Sequence, residues 1–183
     1  MNVAIRSSTF DTAQPGSEGG MELLLWILVR SELVVFGALL GTFMLLAALD
    51  PSAVTALYGE LDLPLAGVAT ATLLTSGCFP AQAAFGHKPQ RNLVIAALGG
   101  FAFCGLKIAG FSHELPVLAA TEGRLAELYM LIVGFHFAHV LFVAGLLLLV
   151  AWRPAPRHVA TVAIVWHVID LVWLLILPVI YLG

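Results

Sequence analysis

His167 and Asp170 sit inside the apolar run from Val165 to Gly183, VWHVIDLVWLLILPVIYLG. They are three residues apart, so on a helix they share one face. Two further groups of the same kind occur upstream. Ser31-Glu32 interrupts one apolar run, and His136 and His139, again three apart, interrupt another. An imidazole beside a carboxylate can hydrogen-bond, exchange a proton or ligate a metal. In hydrocarbon such groups are expensive and mark a functional site by default.

The elements that position them follow from composition. The chain has 183 residues, of which 61% are hydrophobic and 10% charged, and its mean hydropathy is +1.01. That excludes a soluble domain with a polar surface. The fold class is all-α: a polytopic membrane protein built as a bundle of five transmembrane helices. A span needs roughly 20 apolar residues. Five runs qualify: Leu23 to Leu49, Leu63 to Phe85, Leu93 to Phe111, Leu125 to Trp152 and Val159 to Leu182. Residues 1–22 read as a disordered cytoplasmic tail and 23–183 as a single transmembrane domain. The breaks carry Asp50-Pro51 with Pro64, Gly86-His87-Lys88-Pro89, Ser112-His113-Glu114 with Pro116, and Arg153-Pro154-Ala155-Pro156-Arg157. Pro and Gly end helices for backbone reasons.

Basic residues set the orientation. With the N-terminus inside, Arg6, Lys88, Arg91, Arg153 and Arg157 are cytoplasmic, and Arg30 snorkels to the same side. Only Arg124 and Lys107 fall towards the outside. The expected arrangement is N-inside, C-outside. Gly37 with Gly41, and Gly134 with Ala138, are four apart and read as helix-contact pairs where backbones approach. Ordinary membrane-helix glycine content is the alternative.

Counted from the inner ends at about 1.5 Å per residue, Glu32, His139, His167 and Asp170 lie about 12–20 Å deep. With His136 they are expected to converge on one layer of the bundle. Three readings stay open. The five form a hydrogen-bonded network locking the first, fourth and fifth spans. They form a metal or haem site. They form a proton or ion path, as in a free-standing transporter.

Lys107 is expected to snorkel to the outer headgroups, with Glu114 or Glu127 as the alternative partner. Cys78 and Cys104 read as small buried hydrophobes, not as a disulfide or metal pair. His87, His158 and His113 read as solvated or interfacial. No phosphate loop, HExxH or Gly-x-Ser-x-Gly elbow is present, so soluble catalysis has no foothold. No nucleic-acid partner is expected.

Trp166-His167-Val168-Ile169-Asp170-Leu171-Val172-Trp173 resembles the WHFxDxVW signature in the last helix of subunit III of haem–copper oxidases. Gly134-Phe135-His136-Phe137-Ala138-His139-Val140 is similar to the GxHxxHV signature of the preceding helix. Ser31-Glu32 with Phe36 resembles the family's Ser-Glu helix. Order and spacing agree from about residue 23 to the C-terminus. The resemblance implies a non-catalytic subunit of the cell inner (plasma) membrane, without cofactor or metal of its own. It would pack on the haem-bearing catalytic subunit and hold membrane lipids. The polar cluster would then be structural, or relevant to proton uptake by the neighbour. The match departs from the long mitochondrial-type form, which has two further helices at its N-terminus. The short form resembles the quinol-oxidase type, and also NorE, the homologue associated with nitric oxide reductase and denitrification. Gly105-Leu106-Lys107 and the small size lean towards the latter.

Overall fold

The computed structural model describes residues 15–120 and 123–182. Of the expected cytoplasmic tail, residues 1–14 lie outside the described residues, as does Glu122. The chain is helical throughout its described length, with tight connections. In order the helices are α1 (Pro15–Leu49), α2 (Pro51–Glu60), α3 (Leu63–Ala84), α4 (Pro89–Ala120), α5 (Arg124–Trp152) and α6 (Pro156–Leu177). A π-helical turn, Pro178–Leu182, follows α6. Pro178 has no N–H to continue the α-helical ladder, which favours the wider turn. Five of the helices are long and apolar enough to cross a membrane.

Three boundaries differ from the sequence reading. Residues 15–22 are the first turns of α1, not tail: Pro15 suits a helix start, and an existing helix extends at little cost. The third run does not stop at Ser112-His113-Glu114. α4 continues through these residues and Pro116 to Ala120: polar residues do not by themselves break a helix, and the proline costs a backbone hydrogen bond without ending this one. The connection before α3 is itself a helix. Asp50 caps α2, accepting from Ala53 N–H at 3.0 Å and from the Ser52 hydroxyl at 2.5 Å, with Pro51 in the first turn. The Ser52 and Ala53 hydrogen bonds hold the Asp50 carboxyl below its ordinary range. Asp62 caps α3 in the same way, accepting from Leu65 N–H at 2.9 Å.

α3 ends in a Schellman motif. Gly86 N–H donates to Ala83 O and His87 N–H to Gln82 O, which requires φ of +82° at Gly86. The Asn92 amide then donates to His87 O at 2.7 Å and closes the turn between α3 and α4.

α3, α4, α5 and α6 form a ring in which each packs on two neighbours, and α1 leans on α5 and α6 from outside. Trp166, Trp173, Tyr129, Phe36 and Phe103 fill the interior. Its closest approaches are not at the expected small pairs. A Cβ on Gly37, Gly41 or Gly134 would meet nothing of this chain within 4 Å. On Gly77 it would collide with the Asp170 carboxylate, and on Gly99 with Ser76. On Gly100 it would stand 2.6 Å from Trp166 Cη2 and 3.2 Å from Ala144 Cβ. The ring therefore depends on glycines of α3 and α4 facing α6, α5 and each other.

Gly100→Ala is expected to destabilise the bundle by about 1–3 kcal/mol through overpacking against Trp166. Gly37→Ala is expected to be neutral or stabilising by up to about 1 kcal/mol, since Ala favours the helix and meets open space. Reversible unfolding in mixed micelles reads both, and equal effects would contradict this packing.

Candidate functional site

The five expected polar residues do not form one layer. They divide into two pairs and one isolated ring, and the helical wheel explains why. Residues three apart are offset by about 60° around the axis. His139 therefore faces α1, while His136 points into the ring between α4 and α6.

The first pair is Glu32–His139, with Nε2 3.0 Å from Oε1 and both side chains mostly buried. His139 Nδ1 lies 2.8 Å from Phe135 O. A carbonyl only accepts, so Nδ1 carries the proton in that bond. Nε2 is then the ring nitrogen that meets the Glu32 carboxyl. Phe36 and Phe135 wall the ring, at centroid distances of 6.0 and 4.4 Å. The pair lies on a cleft of about 540 Å³ between α1, α5 and α6. Leu28, Phe142, Val165 and Ile169 are among the apolar residues that make up most of the remaining lining, with Thr161.

The second pair is looser. His167 Nδ1 is 3.9 Å from Asp170 Oδ2, beyond hydrogen-bond length. Asp170 is buried against Gly77, and its Oδ1 has no hydrogen-bond partner among the described residues. His167 is 48% exposed at the side chain.

His136 is 1% exposed and neither ring nitrogen has a hydrogen-bond partner among the described residues. The expectation that it joins the carboxylates is thus corrected. It stacks on Trp173 at 5.1 Å, with Phe103 and Phe36 edge-on at 5.9 and 6.1 Å. Trp173 supplies the polar link on the ring's other side: its Nε1–H donates to Thr70 Oγ1 at 2.8 Å, and Thr70 donates to Ala66 O at 2.7 Å.

Lys107 is a second correction. It is buried, 3% exposed, and does not snorkel. Its Nζ donates to Tyr181 Oη at 2.8 Å, and Tyr181 Oη is 3.1 Å from Tyr129 Oη. The ammonium also lies 5.6 Å from the Trp173 ring and 5.1 Å from Phe111, within cation–π range. The π-helical turn brings Tyr181 to that place. Sequence reading missed Thr70 and Tyr129. The available signals were a hydroxyl and a phenol inside apolar spans, which have to bond to something. Cys78 is also corrected: it is exposed on α3, whereas Cys104 is buried.

Among the described residues, no three of His, Cys, Asp and Glu converge as a metal site. The geometry defines a class: a multi-span helical membrane protein whose polar groups tie helices together. No family model matches the chain. It is 33% identical over 177 residues to "Cytochrome c oxidase subunit 3" of Bacillus subtilis, covering 86% of this chain and 83% of the relative. It is 26% identical over 185 residues to "Probable quinol oxidase subunit 3" of Staphylococcus saprophyticus, covering 92% of each. It is 28% identical over 177 residues to "Cytochrome bo(3) ubiquinol oxidase subunit 3" of Pseudomonas aeruginosa, covering 86% and 82%. The chain belongs to the subunit III family of haem–copper oxidases. It is a multi-pass protein of the plasma membrane.

Double-mutant cycles separate the two pairs. Glu32→Gln with His139→Leu is expected to show a coupling of about 0.6–2 kcal/mol, the range of intramembrane hydrogen bonds. His167→Leu with Asp170→Asn is expected to couple by less than about 0.5 kcal/mol, because its atoms stand too far apart. Unfolding free energies of the four single and two double variants test this.

Proposed function

We propose that the chain is a non-catalytic accessory subunit of a haem–copper terminal oxidase, packed on the haem-bearing subunit and contributing no redox group. The supporting observation is the match to oxidase subunits III along nearly the whole of both chains. The site chemistry agrees. Thr70 with Trp173, and Lys107 with Tyr181, hydrogen-bond side chain to side chain, tying α3 to α6 and α4 to the π-helical turn. Such bonds order helices and leave the redox chemistry to the partner.

Oxygen is the acceptor in this reading, because the relatives quoted carry cytochrome c or quinol oxidase names. A nitric oxide-reducing, NorE-like role has the Gly105-Leu106-Lys107 stretch and the small size in its favour, and none of the relatives quoted carries such a name. The tie of Lys107 to Tyr181 gives that lysine a structural role with no bearing on the acceptor. The 540 Å³ cleft suits an acyl chain of a membrane lipid, with the Glu32–His139 pair at its wall. Lys88, Arg91, Arg153 and Arg157 face the cytoplasm, and α2 lies at the outer surface.

Purified in mild detergent, the chain is expected to bring down a haem-containing polytopic subunit whose preparation consumes oxygen. Expressed alone, it is expected to give no Soret band. A Soret band from the isolated chain that disappears in His136→Ala would favour the cytochrome reading. Recovery of the chain alone, with proton flux in liposomes, would favour the transporter. For orientation, a cysteine at Lys88 is expected to resist an impermeant maleimide in intact cells, while one at Glu60 reacts.

A further inference from the structure

We propose that the exposed face shared by α3 and α6, centred on His167, is the docking surface for the haem-bearing subunit. The occupant is one transmembrane helix of that subunit, carrying a hydrogen-bonding side chain at the depth of His167. This rests on the accessory-subunit reading above.

Three observations carry it. First, His167 is 48% exposed at the middle of a span. It stands eleven residues past Pro156 in a helix that runs to Leu177, about 16 Å along the axis. An imidazole is too short to reach either headgroup layer from there. Its contact inside the chain, to Asp170, is 3.9 Å. Facing lipid, the ring would keep unmet hydrogen-bonding capacity in hydrocarbon, which polar residues within spans avoid by facing protein. Second, the neighbouring face of α3 is built for close approach. Gly67, Ala71, Leu74 and Cys78 recur at spacings of four, three and four and are all exposed. Gly67, Ala71 and Cys78 are small, and small residues along one face let a second backbone come near. α3 is also the least apolar span, with mean hydropathy 1.3 against 1.9–2.3 for the others. His167 lies beside this helix: its Cε1 is 3.8 Å from where a Cβ on Gly77 would stand.

Third, both faces expose apolar side chains, but among the described residues the α1–α5 side leaves no comparable polar group open. Its polar pair, Glu32–His139, is satisfied internally at 3.0 Å. Exposed Val34, Leu45, Phe142 and Leu149 make the faces of α1 and α5 apolar, as lipid contact requires. A histidine with capacity to spare marks the side that protein covers; a mutually paired set marks the side that lipid covers.

The test is photocrosslinking within the purified complex. Benzoylphenylalanine replaces Leu171, one turn from His167, or Phe142 on the opposite side. The expected result is an adduct with the haem-bearing subunit from position 171 and none from 142. His167→Leu is expected to weaken co-purification about threefold, the effect of one average intramembrane hydrogen bond, and His167→Gln to restore it. An adduct from 142 but not 171, an adduct joining two copies of this chain at 171, or no protein adduct at 171 in an intact complex would overturn this face. Unchanged co-purification of His167→Leu would do the same for the role of His167. All four outcomes leave the accessory-subunit reading standing. Failure of the unmodified chain to co-purify with any haem protein would overturn that reading, and this face with it.

Discussion

Hydrocarbon supplies no hydrogen bonds, so each polar side chain below the headgroups must find its partner in protein. This constraint organises the bundle. Trp173 serves it from the centre: its indole N–H reaches Thr70 on α3, one face stacks on His136 of α5, and Lys107 of α4 lies over its ring. One residue of α6 thus touches a polar group on each of the other ring helices. The glycines follow from the same demand. Asp170 and Trp166 are large or polar groups on α6, and they fit only because Gly77 and Gly100 leave room where they press on α3 and α4.

The constraint is met unevenly, and the unevenness separates the two sides of the molecule. Glu32 and His139 satisfy one another and border an apolar cleft. His167 and Asp170 do not, and His167 opens outward. A chain acting alone in lipid would have little reason to keep such a residue at mid-span. A subunit of a larger assembly has one. Membership of the subunit III family comes from sequence relatives; the asymmetry comes from geometry, and its assignment to a partner face builds on that membership.

Much of the architecture was legible because a bilayer imposes a length. A run of about 20 apolar residues announces a span without help from its neighbours, and all five spans were found that way. α2 was missed for the complementary reason: ten residues at a membrane surface fall below that length. Its start was nonetheless written in Asp50-Pro51, a capping acid before a first-turn proline. The site was legible in part. Glu32, His139, His167 and Asp170 stood out as ionisable residues inside apolar spans, but spacing alone could not say which faces met. A three-residue step turns the side chain by about 60°. That is enough to send His139 to α1 and to leave His136 against Trp173. Lys107 illustrates a limit of another sort. Its burial depends on Tyr181, 74 positions away and carried on a π-helical turn, and no local pattern around Lys107 encodes that.

The central claim is that these polar groups hold helices and a partner in place while the redox chemistry lies elsewhere. The most direct measurement is the reduced-minus-oxidised spectrum, per catalytic subunit, of the oxidase purified from cells lacking this chain. The account predicts the same haem bands in the same ratio as in the complete complex, with oxygen still reduced. Loss of a haem band that returns when this chain is supplied would contradict it.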